Sequence, residues 1–221
     1  MNKMYTLAFD TTAAGCSIIL MKDSTKLASY TERMAFGQAE VLIPEIKNIL
    51  ENQNVSFNDL DLITVCVGPG SFTGVRAGIS AARAFGIANE KIKVLGVTAF
   101  EAYAGDLQPD EIAEINAVVI ETKREDFYYQ LFDKHLKKIT EPSAGMREEV
   151  IDRLRNVKVT FIGDGVERFL NSPTGLSLHV IRMENCPPIR ELAMTGIRKY
   201  QDKVVDFPKP LYLRAPDVCV K

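Results

Sequence analysis

The stretch LITVCVGPGSFTGVR, residues 62–76, joins a run of apolar residues to a glycine-rich turn and then to the start of a helix. Residues Leu62–Val67 form a continuous apolar run, which is typical of a strand buried on both faces of a sheet. The turn at 68–71 leads into a helix that we predict from about Phe72 to Ala88. A strand, a tight turn and a helix in this order favour a fold of the α/β class.

The elements on either side of this stretch complete a first unit. Three β-rich runs precede it, separated by short turns, and a helix with one apolar face follows them. Pro44 lies within that helix and should kink or delay it. A further strand and a short helix follow the stretch. In chain order these elements are Tyr5–Asp10, Cys16–Lys22, Leu27–Thr31, Gln38–Asn52, Lys93–Val97 and Ala99–Ala104.

The second half of the chain repeats this order of elements. Each half reads β-β-β-α-β-α, with a Gly-x-Gly turn after the fourth strand. Two such tandem units, the second one reduced, resemble the layout of the actin, sugar kinase and heat-shock ATPase superfamily. The predicted elements of the second half are Ile115–Glu121, Phe127–Phe132, Leu136–Ile139, Met146–Arg155, Val159–Ile162 and Val166–Leu170.

A polar segment at Gly105–Ile112, which contains Pro109, marks the boundary between the two halves. We therefore predict a first domain at 1–105 and a second, degenerate domain at 106–221. The second domain would end with a C-terminal helix at Pro188–Asp202 and an extended tail at Pro208–Pro216.

Composition and charge indicate a protein of the cytoplasm. The 221 residues contain 27 basic and 29 acidic side chains, a net charge of −2, which argues against autonomous nucleic-acid binding. Asp10 interrupts any signal-peptide core, and no apolar run approaches the ~18 residues of a membrane helix. The four scattered cysteines indicate reduced, mostly core thiols. They are Cys16, Cys66, Cys186 and Cys219.

The glycine-rich turn at 68–76 matches none of three common catalytic motifs. It lacks the GK[ST] end of a Walker A loop, the third glycine of GxGxxG and the Gly-x-Ser-x-Gly of a nucleophile elbow. One interpretation is that Gly68, Gly70 and Ser71 expose N–H groups that hold an anion. The other, which we favour on physical grounds, is a sharp turn with a helix cap at Ser71 or Thr73.

The helix after this turn has an unusually wide apolar surface, because its polar residues form one narrow stripe. Either the preceding helix covers that surface or a partner subunit does, and the sequence leaves both open. For the partner alternative, the predicted interface residues on the two helices are Leu42, Ile46, Ile49, Gly74, Gly78, Ile79, Ala81, Ala82 and Phe85.

Two turns are candidates for binding a nucleotide. Asp10, Thr11 and Thr12 fit a first phosphate hairpin, whereas the second candidate, at 121–126, has no glycine and added carboxylates that would repel a triphosphate. We expect ATP or ADP binding to be weak and no cofactor to be required. We predict no catalytic residue and no metal site, because His135 and His179 share no ligand motif.

Five short stretches of the sequence are informative together: 10–12 (DTT), 37–44 (GQAEVLIP), 68–76 (GPGSFTGVR), 96–98 (GVT) and 212–214 (YLR). They occur in the order that is seen in the bacterial TsaB family. The chain therefore resembles this family, a glycoprotease-like group of the actin-fold superfamily that acts in tRNA threonylcarbamoyladenosine biosynthesis. The resemblance is close over the first ~105 residues, looser afterwards, and most specific in the string GPGSFTGVR.

The resemblance implies a non-catalytic subunit. Such a subunit pairs with a larger TsaD-type homologue, which holds the metal and transfers threonylcarbamoyl to the adenosine beside the anticodon, and a TsaE-type ATPase joins them. It further implies a dimer surface on the first-domain helices, a homodimer when the chain is alone, tRNA contact only through the complex, and no membrane association. The metal-binding His-x-x-x-His pair of the catalytic relative is replaced here by QAEVL at 38–42, and Glu121 and Lys123 stand where Asp and Arg are usual.

The leading hypothesis is thus a scaffold and activator subunit of the tRNA-modifying complex. Ile79→Asp or Phe85→Asp should then abolish pairing and leave the fold intact. The alternative is a stand-alone ATPase or small-molecule kinase in which Asp10 and Thr11 hold Mg-phosphate. A glycopeptide protease is the least favoured hypothesis, since the sequence shows neither the metal motif nor the nucleophile that such an enzyme needs.

Overall fold

A computed structural model describes residues 3–34, 36–204 and 207–214 of the chain. The chain divides into two compact units, each built around a five-stranded sheet. Unit 1 contains residues 1–107 and 184–210, and unit 2 contains residues 108–183 and 211–221. The α/β class and the tandem arrangement that the sequence predicts are confirmed.

The sheet of unit 1 has the strand order β3-β2-β1-β4-β5. β1, β2 and β3 form two consecutive antiparallel hairpins, and β4 and β5 add parallel to β1 on its other side. This mixed sheet leaves β5 at one edge. The strands are β1 (Tyr5–Asp10), β2 (Gly15–Lys22), β3 (Thr25–Arg33), β4 (Leu60–Cys66) and β5 (Lys93–Val97).

Helices cover both faces of this sheet. α1 (Gln38–Asn52) and α2 (Phe72–Ala88) pack against each other and share an apolar core with β1, β2 and β4. α3 (Ala99–Gly105) and α6 (Ile189–Gln201) pack together on the other face. α1 begins at Gln38, as predicted, so Pro44 lies inside the helix and does not delay it.

The sheet of unit 2 has the order β10-β9-β6-β7-β8, with β6, β7 and β8 antiparallel and β9 and β10 parallel to β6. Its helices α4 and α5 have 7 and 4 residues, against 15 and 17 in α1 and α2, so this unit is reduced in its helices. The elements are β6 (Ile115–Glu121), β7 (Phe127–Asp133), β8 (Ser143–Gly145), α4 (Arg147–Arg153), β9 (Lys158–Gly163), α5 (Val166–Phe169) and β10 (Ser177–Met183).

Two predictions about the second half need correction. The third strand of unit 2 is β8, and the run predicted as that strand, Leu136–Ile139, contributes only one isolated bridge, between Lys138 and Phe132. The positive φ of 56° at Leu136 breaks the extended backbone there. The edge strand β10 was not predicted, because its exposed and half-buried residues do not alternate cleanly.

The assignment of the C-terminal helix to the second domain was wrong, because α6 belongs to unit 1. Leu192, Ala193 and Ile197 are buried against the first sheet. A Cβ at Gly196 would lie 2.0 Å from Thr64 Oγ1, so only glycine lets the helix approach β4 this closely. Of the predicted tail, residues 208–210 also belong to unit 1, whereas Ala215 and Pro216 lie outside the described residues.

Candidate functional site

The glycine-rich turn and the threonine turn of unit 1 pack directly on each other. Ser71 N donates a 2.7 Å hydrogen bond to Thr12 O, and Thr11 Oγ1 donates a 2.7 Å hydrogen bond to Gly74 O. A Cβ at Gly70 would lie 2.4 Å from Thr12 O, and one at Gly74 would lie 1.8 Å from Thr11 O. The glycines are therefore required for backbone-to-backbone contact between the two turns.

The start of α2 is capped by the chain itself. Ser71 has a non-helical backbone, with φ −55° and ψ 123°, and its Oγ accepts a 3.3 Å hydrogen bond from Gly74 N, the arrangement of an N-cap. Gly68 has a φ of 98°, which favours glycine, and its carbonyl accepts a 2.8 Å bond from Ala99 N at the start of α3. The interpretation as a sharp turn with a helix cap accounts for these contacts without an anion.

Asp10, the proposed ligand of a metal-phosphate, is 1% exposed. Thr12 N donates a 2.8 Å hydrogen bond to its Oδ1. Desolvation by burial raises the pKa of Asp10 above its usual value, and hydrogen bonds from Thr12 and Cys66 only partly offset it. The carboxyl group is thus directed into the unit, where it stabilises the turn.

The turn between β6 and β7 in unit 2 is closed by ion pairs. Arg168 Nε and Nη2 each lie 2.7 Å from a carboxylate oxygen of Glu121, and Arg168 Nη2 also donates a 2.9 Å bond to Asp126 O. Asp126 is paired with Arg214, and Glu121 N donates a 2.9 Å bond to Asp164 Oδ1. Two carboxylates of the turn that we expected to repel a triphosphate, Glu121 and Asp126, are therefore paired with cations within the unit.

The pKa of Glu121 reflects this pairing. Partial burial acts to raise the pKa, but hydrogen bonds from Arg168 and from the Lys123 N–H outweigh it, so the pKa lies below its usual value. Neither Arg168, the partner of Glu121, nor Arg214, the partner of Asp126, could be assigned from the sequence, because each is more than 40 residues away from its carboxylate in the chain. The Gly163-Asp164-Gly165 turn before α5, which precedes Arg168, was the available signal.

The nine predicted interface residues lie in or against the core of unit 1. Seven are buried, with α1 and α2 covering each other and the sheet. Ala81 and Phe85 are partly buried against the same core, and Phe85 packs on the rings of Phe9 and Phe57 at centroid distances of 6.5 and 5.4 Å. The seven buried residues are Leu42, Ile46, Ile49, Gly74, Gly78, Ile79 and Ala82.

The seven buried side chains are therefore not accessible to a partner, because the chain's own helices and sheet already cover them, whereas contact of a partner with Ala81 and Phe85 stays a prediction. The expectation that Ile79→Asp leaves the fold intact is wrong for the same reason, since it would place a carboxylate at a position 3% exposed. That α1 and α2 carry a subunit interface on their outer side stays a prediction.

The outer side of these two helices does expose apolar side chains. Phe36, immediately before α1, is 89% exposed, and Ile43 on α1 and Phe72 at the start of α2 are 47% and 42% exposed. The guanidinium of Arg76 stacks over the Phe72 ring at 3.7 Å. We call Phe36, Ile43 and Phe72 the outer apolar set. The set could not be recognised from the sequence, because these residues do not follow the helical period of the core face.

The remaining side chains that could support chemistry are dispersed. Among the described residues, no group of three or more His, Cys, Asp or Glu side chains is placed to hold a metal ion. Cys16 and Cys66 are buried free thiols, and burial raises the pKa of Cys16 to about 12. Cys219 lies outside the described residues. None of the described helices has the length and apolarity needed to traverse a bilayer.

The fold defines the class of protein. Each unit carries a mixed sheet with consecutive hairpins followed by parallel strands, and the ROK hexokinase of Thermus thermophilus has a similar architecture. The TM-score is 0.51 at 10% sequence identity, over 90% of this chain and 100% of the hexokinase. The chain thus has the actin and sugar-kinase type of fold.

Closer similarity identifies the family. YeaZ from Pseudomonas aeruginosa superposes with a TM-score of 0.80 and 22% identity over 95% of this chain and 100% of its own. TsaB of Haemophilus influenzae is 29% identical and covers 97% of this chain and 95% of its own length. The family model described as TsaD, tRNA N6-adenosine threonylcarbamoyltransferase, matches residues 34–166. The chain belongs to this family and, within it, to the TsaB type.

Proposed function

We propose that this chain is a non-catalytic subunit in tRNA threonylcarbamoyladenosine synthesis and that it pairs with a TsaD-type catalytic homologue. The outer apolar set carries this proposal. Phe36, Ile43 and Phe72 are large, exposed, and attached to two helices that pack side by side in unit 1. Exposed apolar side chains on neighbouring helices are characteristic of a surface that a protein partner covers.

The direction of α1 and α2 brings the set to one end of the helical layer. Both helices precede strands of the same sheet, β4 and β5, and these strands run parallel to each other. The two helices therefore run in the same direction, and Phe36 and Phe72 both stand at helix starts. A partner that packs across these starts would also meet Ile43, which lies about one and a half turns into α1.

The two hairpin turns support a role without catalysis. In unit 1 Asp10 is buried and bonded to the turn that contains it, and in unit 2 Glu121 is paired with Arg168. The family's metal-binding histidine pair has no counterpart at residues 38–42, and both histidines of the chain, His135 and His179, fall in the range of unit 2.

The proposal includes the other members of the complex. A TsaE-type ATPase would join the pair in the cytoplasm, and tRNA would be contacted only through the complex, since the net charge of −2 gives no basic excess. In the absence of its partner, the chain would pair with a second copy through the same outer apolar set. ATP or ADP binding would be weak.

The experiment mixes this chain with the TsaD-type protein of the same organism and measures the mass of the complex by light scattering. Ile43→Asp and the double variant Phe36→Ser with Phe72→Ser should each prevent the heterodimer and abolish modification of tRNA in the reconstituted system. Ile139→Asp is the matched control, because Ile139 is 52% exposed and lies in unit 2. The control should pair normally.

A folded Ile43→Asp variant that still pairs would contradict the proposed surface. The proposed role as a subunit of the complex is contradicted if the unmodified chain forms no heterodimer and tRNA modification proceeds equally without it. Titration calorimetry with ATP and Mg²⁺ tests the kinase alternative: micromolar binding with turnover that Asp10→Ala abolishes would favour that alternative.

A further inference from the structure

Unit 1 contains a second exposed apolar surface, at the edge of its sheet. A groove of about 870 Å³ opens between the end of α2, the start of β5 and the end of α6. Four of its lining side chains are large and exposed: Ile87 (81%), Phe207 (53%), Val204 (45%) and Tyr200 (38%). We call it the β5 groove. None of the outer apolar set lines it.

The floor of the groove includes the start of an edge strand. Lys93, Val94 and Leu95 of β5 line it, and within the described part of the chain β5 pairs with β4 on one side and with no strand on the other. The C-terminal end of β5 is covered differently: Lys199 Nζ donates a 3.0 Å bond to Gly96 O, and Pro208 lies beside Gly96. The groove thus ends where residues 207–210 begin to cover the strand.

Arg83 fixes this closed end. Its Nε and Nη2 donate bonds of 3.2 and 2.6 Å to Pro208 O, and its guanidinium stacks on Phe207 at 5.0 Å. The segment at 207–210 is therefore held against α2, and its aromatic ring forms one wall of the groove. An open strand edge between two helical layers, with apolar walls, has the form of a site for strand addition.

The charges of the lining side chains indicate which kind of segment the groove can bind. Its lining includes the cations Arg83, Lys93 and Lys203, and no carboxylate is among the described residues that line it. Lys93 and Lys203 are exposed. A second copy of the chain placed edge to edge would bring these cations together, which disfavours self-pairing. A segment with acidic residues beside its apolar ones would meet complementary charge.

We propose that the β5 groove binds an extended, apolar segment of a partner protein that carries acidic residues at its ends, and that this segment pairs with the free edge of β5. Its apolar side chains would contact Ile87 and Val204. Its carboxylates would lie near Lys93 and Lys203. The groove and its occupant are independent of pairing through the outer apolar set.

The probe is a labelled peptide, acetyl-Glu-Val-Thr-Ile-Thr-Val-Glu-amide, added to the full chain at low salt and followed by fluorescence anisotropy. We expect it to bind about tenfold more tightly than the same peptide with lysine at both ends. Methylation of alternate peptide nitrogens should abolish binding, because strand pairing needs those N–H groups. Amide hydrogen exchange should slow at Val94, whose N–H points away from β4, and stay unchanged in β3, the other edge strand.

Two variants locate the site. Ile87→Asp and Lys93→Glu should each weaken binding of the acidic peptide by about tenfold, with unchanged circular dichroism because both positions are exposed. Ile139→Asp, in unit 2, should bind like the unmodified chain. Lys93→Glu should in addition improve binding of the lysine-ended peptide, which a merely structural change would not do.

Several results would overturn the proposal. Equal binding of the two peptides, full binding of the methylated peptide, or no binding at about 1 mM would each exclude charge-selected strand addition. Binding of laurate at the groove, with neither peptide bound, would assign the groove to small amphiphiles. Self-association that Ile87→Asp abolishes would assign it to a second copy.

Discussion

Asp10 ends β1 in unit 1, and Glu121 ends β6 at the corresponding place in unit 2, yet the two carboxyl groups are held in opposite ways. Asp10 is 1% exposed, accepts a hydrogen bond from Thr12 N, and has its pKa raised by burial. Glu121 is half-buried, receives two 2.7 Å bonds from Arg168, and has a lowered pKa. The same hairpin therefore tolerates a desolvated carboxyl group in one unit and an ion-paired one in the other.

The difference follows from the third residue of the helix that packs on each turn. In α2 this residue is Gly74, whose lack of a side chain brings the helix backbone against Thr11. In α5 it is Arg168, whose guanidinium spans the gap to Glu121. Gly74 allows close backbone contact that excludes water, whereas Arg168 neutralises the charge of the carboxylate.

The largest expected effect comes from adding one methyl group at the glycine. Helix propensity alone predicts that Gly74→Ala stabilises α2 by about 1 kcal/mol. The Cβ would lie 1.8 Å from Thr11 O, so we expect a loss of about 3 kcal/mol in the free energy of unfolding. Urea titration followed by circular dichroism measures it.

Thr73→Ala, at the exposed neighbouring position, is the control for Gly74→Ala and should stay within about 0.5 kcal/mol of the unmodified chain. A Gly74→Ala variant as stable as this control would show that the two turns do not need the backbone contact. Close packing of α2 on the threonine turn would then not explain why the Asp10 carboxyl group is desolvated.

The corresponding change in unit 2 removes the cation. Arg168→Met keeps the length of the side chain but leaves Glu121 without its partner, and we expect a loss of about 2 kcal/mol. Arg155→Met is the matched control: Arg155 also pairs with a carboxylate, Asp152, at 2.8 Å, but both side chains are more than 60% exposed. That loss should be below about 0.5 kcal/mol.

A double-mutant cycle sharpens the result for Arg168. If the loss comes from the unpaired carboxylate, Glu121→Gln in the Arg168→Met background should recover about 1 kcal/mol of the free energy of unfolding. If Glu121→Gln recovers none of the free energy of unfolding, Arg168 acts instead through its 2.9 Å bond to Asp126 O or its stacking on Phe127 at 3.8 Å.

A smaller effect separates the two helix starts. Ser71 caps α2 through Gly74 N, whereas α5 begins after Gly165 with no side-chain cap. Ser71→Ala should therefore destabilise unit 1 by about 1 kcal/mol, measured by urea titration. Ser80→Ala, at an exposed position in the same helix, should change stability by less than half as much. Equal losses at both positions would argue against the cap.

The sequence was enough to locate the elements around both turns. Tyr5–Asp10, Gln38–Asn52, Phe72–Ala88 and Ile115–Glu121 have the predicted bounds, because each has a clear apolar period and an end marked by Gly, Ser or a charged residue. The strand β10 was missed, because an edge strand with both faces partly exposed has no such period. Periodicity reports burial, so it fails where burial is incomplete.

The partners of the predicted site residues could not be read from the sequence. The wide apolar surface of α2 left two alternatives, and only the packing shows that α1 and the sheet bury Ile79 while Ile43 faces outward. The pairing of Glu121 with Arg168 and the return of α6 to unit 1 depend on contacts between distant segments. Residue type indicates that a charge needs a partner, but not which segment supplies it.

The smallest expected effect concerns the pH dependence of stability, to which the two carboxyl groups contribute in opposite directions. The native pKa of Asp10 is raised, so the native state retains its proton at a pH where the unfolded chain, with a pKa near 3.8, has lost it. The stability that Asp10 contributes is thus full below that value and falls as the pH rises through the native pKa. Glu121 has a lowered native pKa, so its contribution is present above about pH 4.5 and is lost as the pH falls through the native value. Urea titrations between about pH 3 and pH 7 should show the unmodified chain losing stability relative to Asp10→Asn as the pH rises and gaining it relative to Glu121→Gln. If the stability differences from Asp10→Asn and from Glu121→Gln changed in the same direction with pH, the two turns would hold their carboxyl groups in the same way.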